Sequence, residues 1–148
     1  MRKAKRMEDK IINMETKPPY LYHGSPKLLT ILEPRTARGV GVGKHKLHGI
    51  YASSSPNFAI AFALPILPDK RGNLAWQLDF QADHPRIMVR AGQLDKGGIG
   101  YVYQLPASHF EALDEYQWIT YEAVEPLKYE VIEAKLYLGW IEYQYERK

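Results

Sequence analysis

The apolar residues of this chain come in short runs, each cut off within a few positions by proline, glycine or serine. Runs of that length build strands and leave room for few helices. None approaches the roughly 20 apolar residues that cross a bilayer as a helix. Tyr20-Leu21-Tyr22-His23 reads as a first strand closed by Gly24-Ser25-Pro26, and Ile50-Tyr51-Ala52 as a second. Ser53-Ser54-Ser55-Pro56 then breaks the pattern: Ser55 suits an N-cap and Pro56 the first helical position, so a buried helix is expected from Asn57 to Leu64, ending before Pro65. Leu74, Trp76, Leu78 and Phe80 alternate on one strand face. Further strands are expected at Ile87–Val89, Gly100–Leu105, Gln117–Tyr121 and Lys128–Ala134, with a helical turn at Ser108–Leu113. The tail from Leu136 to Tyr145 fits helix and strand equally. The sum is an α+β chain with antiparallel sheet and one early buried helix.

At 148 residues one core is expected, in a single domain spanning 18–148 in which 136–148 form an aromatic C-terminal extension. The formal charge of +3 is local: residues 1–17 carry six basic side chains against Glu8, Asp9 and Glu15, and the rest is balanced. A neutral body with a basic leader is a poor match to an extended phosphate-binding face, and the leader reads as a solvated tail or short helix, with a nucleic-acid or partner arm as the alternative. The leader has no secretory apolar stretch, and the chain has no cysteine. Disulfides, thiolate metal sites and cysteine nucleophiles are thereby excluded, and a reducing, cytoplasmic setting is the expectation. His23, His45, His48, His84 and His109 offer no helix-spaced ligand pair, so no metal is expected.

Three constellations carry potential chemistry. Tyr22-His23-Gly24-Ser25 brings an imidazole and a bare main chain to one point, a pattern that also fits a histidine merely ending a strand. Gly49-Ile50-Tyr51-Ala52-Ser53 leaves a tyrosine flanked by small residues, as a stacking surface or a core residue. Glu115-Tyr116-Gln117-Trp118 puts Glu115 and Gln117 on one strand face. In this order and at these distances the three resemble the ADP-ribosyltransferase superfamily, in its poly(ADP-ribose) polymerase and diphtheria-toxin-like branch with its His-Tyr-Glu signature, over roughly Tyr20 to Glu133.

The resemblance implies split antiparallel sheets with NAD, the co-substrate, in the cleft between them. It implies that His23 bonds the adenosine ribose, that Gly24, followed by Ser25, holds the nicotinamide carboxamide by its main chain, and that Tyr51 and Phe62 wall the nicotinamide ring. Ala59 stands where polymerases carry a serine, for which Ser53, Ser54 or Ser55 are substitutes. Gln117 falls at the catalytic glutamate position, and Glu115 is the second candidate for the missing carboxylate. The glycine-rich stretch Thr36–Gly49 is expected to close over NAD or meet the acceptor. Phe110, Glu111 and Glu115, in the segment Leu105–Tyr116, are expected to recognise it. The implied activity is mono-ADP-ribosyl transfer, a pentosyl transfer from NAD to a protein or nucleic-acid acceptor with release of nicotinamide and no membrane partner. The alternatives are a non-catalytic NAD or ADP-ribose module and an NAD-dependent RNA 2′-phosphotransferase using Arg35, Arg38, Lys44 and Lys46.

Overall fold

The computed structural model describes residues 17–36, 48–79, 84–114 and 117–145, with side chains at 35, 36 and 48 left aside. The leader up to residue 16, Arg38, Lys44, His45, Lys46, Phe80 and Glu115 lie outside the described residues. The chain is of the α+β class, mostly strand, with one α-helix and one 3-10 helix among the described residues.

The centre is an antiparallel sheet of β1 (Tyr20–Ser25), β8 (Ile99–Pro106) and β11 (Lys128–Glu133), with β8 in the middle. A second antiparallel sheet runs β2 (Arg35–Thr36), β3 (His48–Ala52), β10 (Trp118–Thr120), β9 (Glu111–Ala112). Tyr22 and Ser53 exchange two main-chain hydrogen bonds of 2.7 and 2.8 Å and so join β1 to the end of β3. Elsewhere β4 (Ile66–Leu67) pairs with β7 (Gln93–Leu94), and β5 (Ala75–Asp79) pairs antiparallel with β6 (Arg86–Ala91).

The helix α1 is Pro56–Ala63, with the Ser55 hydroxyl accepting from the Phe58 N–H as the serine-proline pair predicts. Such a cap contributes about 1 kcal/mol. Phe58, Ala59, Ala61 and Ala63 are buried, and α1 packs on β1 and β8. Two glycines permit this. A Cβ on Gly24 would stand 1.8 Å from the Ala59 carbonyl oxygen, and one on Gly100 1.7 Å from that of Ala63. The helix backbone therefore lies directly on the sheet, where any side chain would hold it off.

The central sheet is covered on both faces. Phe58, Ala61, Leu78, Ile87, Val89, Val102 and Ile132 belong to one cluster, with Phe62 and Trp76 against it. Leu21, Leu32, Ile50, Ala52, Tyr103, Leu105 and Phe110 form the other. Tyr103 is fully buried there, its hydroxyl donating to the Lys27 carbonyl at 2.7 Å and accepting from the Leu29 N–H at 2.6 Å.

Three sequence expectations change. Ser108–Leu113 is not a helical turn: one turn closes from the Phe110 N–H to the Ala107 carbonyl, and Glu111–Ala112 then pairs with Trp118–Ile119 as a hairpin arm. The sheets are not all antiparallel, because β12 (Ile141–Tyr143) lies parallel to β6. The ambiguous tail is both helix and strand, a 3-10 helix over Ala134–Trp140 followed by β12. On β5 Leu78 is buried and Trp76 half-buried, whereas Leu74 precedes the strand and is exposed.

Two consequences are measurable. Gly100→Ala is expected to lower stability by about 3 kcal/mol, because the helix must lift from the sheet, and urea unfolding reads the shift. Burial raises the Tyr103 pKa above its ordinary 10.0, against the opposing Leu29 hydrogen bond. The stability this hydroxyl contributes is complete below pH 10.0 and is lost as pH rises through the raised value. Tyr103→Phe removes that alkaline slope and costs about 1–2 kcal/mol at neutral pH by orphaning both main-chain partners.

Candidate functional site

The first two motifs meet. The His23 ring donates from Nδ1 to the Tyr51 carbonyl at 2.6 Å, so the neutral ring keeps its lone pair on Nε2. The strand geometry explains what this bond displaces. Main-chain amides alternate direction along an antiparallel strand. Tyr22 spends its N–H and C=O on Ser53, so those of His23 turn to β8 and those of Gly24 turn back toward β3. Were the ladder to continue from Tyr22–Ser53, the Gly24 N–H would bond the Tyr51 carbonyl. The His23 imidazole has taken that acceptor. The ladder stops there, and the Gly24 main-chain groups face the gap where the strands part.

His23, Gly24, Ser25 and Tyr51 are all half-buried. The helix borders the gap. Ala59 and Ala63 lie against Gly24, and Phe62, beside that pair on the helix, packs on Phe58 and Trp76 with ring centroids 5.4 Å apart in each case. Trp76, whose alternation in the sequence marked only a strand face, is the partner that Phe62 finds in the core. The candidate substitutes for the missing serine have local tasks. Ser55 caps α1, the Ser53 hydroxyl accepts from the Ser55 N–H at 3.0 Å, and Ser54 is exposed. The Ser25 hydroxyl accepts from the Lys27 N–H at 3.1 Å.

Gln117 enters from β10, whose register sets Trp118 opposite Ala52 and Ile119 opposite Tyr51. One step further the same register sets Gln117 opposite Ser53, on the face of Tyr51. Asp114 fixes it there: its side-chain oxygen accepts from the Gln117 N–H at 2.8 Å, and the Gln117 carbonyl accepts from Leu113 and Asp114. An aspartate three residues ahead of Gln117 was the available signal for this turn. Gln117 is 4% exposed, and its side-chain oxygen is the buried polar atom that has no partner among the described residues. Leaving a buried acceptor unpaired costs about 1–3 kcal/mol.

Other candidates fall elsewhere. Phe110 is buried in the second core cluster and is not available to an acceptor, whereas Glu111 is exposed on β9. Packing of the strand lead-in against Leu105 and Ile50 claims the phenyl ring. A cavity of about 240 Å³ opens beside α1, lined by Tyr22, Ile60, Gln104, Lys128 and Glu130; it lies on the Tyr22 face of β1, away from the His23 ring. Among the described residues no helix is long and apolar enough to cross a membrane. No protein-family model, curated protein or solved structure matches the chain.

The orphaned oxygen makes a stability prediction. Gln117→Leu is expected to leave the fold as stable as before, or to raise it by about 1 kcal/mol, near 3 °C in the thermal midpoint. A clear loss of stability on this substitution would show that the amide is held by structural bonds.

Proposed function

We propose that this chain is an NAD-dependent mono-ADP-ribosyltransferase with an ADP-ribosyltransferase-like arrangement of split sheets. It transfers ADP-ribose to a macromolecular acceptor and releases nicotinamide. The observation that carries the reading is the broken ladder between β1 and β3: the His23–Tyr51 bond leaves the Gly24 amide and carbonyl turned to one open point. A primary carboxamide, with one acceptor oxygen and an NH2 donor, is a group that pairs with the N–H and C=O of a single residue. The ring bearing that carboxamide lies against Tyr51, with Phe62 as the opposite wall. His23 Nε2 accepts from a ribose hydroxyl of the adenosine half. Gln117 offers its unpartnered oxygen to a hydroxyl of the nicotinamide ribose.

In the reaction the glycosidic C–N bond breaks and its electron pair leaves with the nicotinamide nitrogen. The ribose carbon passes through an oxocarbenium-like centre and bonds the acceptor nucleophile, whose proton is lost to solvent or a base. Gln117 orients the ribose without stabilising the positive charge as a carboxylate does. Chain extension into a polymer is not part of the proposal, for the same reason.

The neutral Gln117 also favours a second reading, a module that binds NAD or ADP-ribose without turnover. One set of incubations separates them. With NAD, the transferase releases nicotinamide and labels an acceptor; His23→Ala and Tyr51→Ala each reduce this about a hundredfold or more while unfolding cooperatively. Gln117→Glu raises turnover. A binding module is instead stabilised thermally by NAD with no nicotinamide released. Neither stabilisation nor release in the presence of NAD would defeat both.

A further inference from the structure

Strand β11 is the outer strand of the central sheet among the described residues, and it is poorly covered. Of its six residues only Ile132 is buried. Tyr129 and Val131, alternate residues of one face, are 48% and 51% exposed. The open edge is also chemically specific. Tyr103 turns its amides to β1, so those of Val102 and Gln104 turn to β11 and engage Glu130 and Lys128. The N–H and C=O groups of Tyr129 and Val131 therefore point outward from the sheet. Leu127, just before the strand, gives its N–H to the Gln104 carbonyl at 2.8 Å. An edge with exposed apolar residues and unpaired amides invites another strand.

We propose that this edge pairs with the same edge of a second copy of the chain, antiparallel about a two-fold axis at Tyr129. A two-fold axis normal to the sheet keeps each face on itself, so residues opposite each other must have the same parity. With Tyr129 opposite the partner's Tyr129, Lys128 stands opposite the partner's Glu130, and Glu130 opposite the partner's Lys128. The two tyrosines, whose amides point outward, exchange both main-chain bonds about the axis. Sliding the axis to Glu130 sets two like charges face to face, and sliding it to Val131 sets Glu130 against the partner's Ile132. The charge pattern thus selects one register.

A single strand-edge contact stays below about 1,200 Å² of buried surface, so the association is weak and reversible, in the micromolar range. Sedimentation equilibrium of the full chain across micromolar concentrations tests it. The expected mass rises from 17.1 kDa toward twice that value. K128E and E130K, both at exposed positions, each weaken self-association about tenfold by opposing like charges. Mixing the two variants, or combining both changes in one chain, restores it. A wild-type chain that stays monomeric at its solubility limit overturns the proposal. So does self-association that the single reversals leave unchanged, or that the mixture fails to rescue.

Discussion

The hydrogen bond from the His23 ring to the Tyr51 carbonyl decides how two sheets of this protein meet. A side chain has taken an acceptor that the adjoining strand would otherwise use, at the step after the Tyr22–Ser53 bridge. Had the ladder run on, β1 and β3 would form one sheet and Gly24 would be sealed into it. With the ring on that carbonyl, the pairing of β1 with β3 stays an isolated bridge at Tyr22–Ser53. One 2.6 Å bond therefore ties two distant motifs. Orientation of the imidazole follows as well, because committing Nδ1–H to a carbonyl assigns the lone pair to Nε2.

The helix and the opening are built on the same glycine. Gly24 lacks a side chain because the α1 backbone rests on its Cα, with Gly100 doing the same one strand over. The proposed ligand contact at its amide edge would be an additional use of this residue, perpendicular to the first, since side chains stand normal to a sheet and amides lie within it. Substitution at Gly24 therefore disturbs packing whatever its effect on ligand. Gly100 has the packing task alone, which makes it the cleaner probe of how firmly the helix is seated.

What was legible in the sequence was local. Ser55-Pro56 encodes a helix start through its own hydroxyl and fixed φ, and the strands around Tyr22, Tyr51 and Tyr103 follow from short apolar runs between breakers. The meeting of His23 with Tyr51 was implied by the family resemblance, whereas its means, a side chain on a main-chain acceptor of the other strand, was not. Pairing partners far apart in the chain left no such trace. Glu111–Ala112 is strand because Trp118–Ile119 lies against it, and the serine and short apolar run before it suit a helical turn equally well. The parallel junction of Ile141–Tyr143 with Ile87–Val89 depends on a return across the whole second half of the chain. Gly24 was read as bare for a ligand, and its contact with Ala59 belongs to the tertiary fold that a list of residues does not display.

Gln117 shows how a single atom difference partitions binding from turnover. Its amide carries no charge, so it is buried at far lower cost than a carboxylate, which loses hydration on entering the same place. Such a carboxylate would recover that cost only when positive charge develops in front of it, at the transition state. An amide oxygen offers a hydroxyl nearly the same hydrogen bond in the ground state and much less stabilisation at the barrier. In the proposed transferase, a site with this residue would keep its grip on a ribose while losing part of its rate. The asymmetry lies in the chemistry of one side chain, held in place by the Asp114 turn and the β10 register, and the rest of the cleft is indifferent to it.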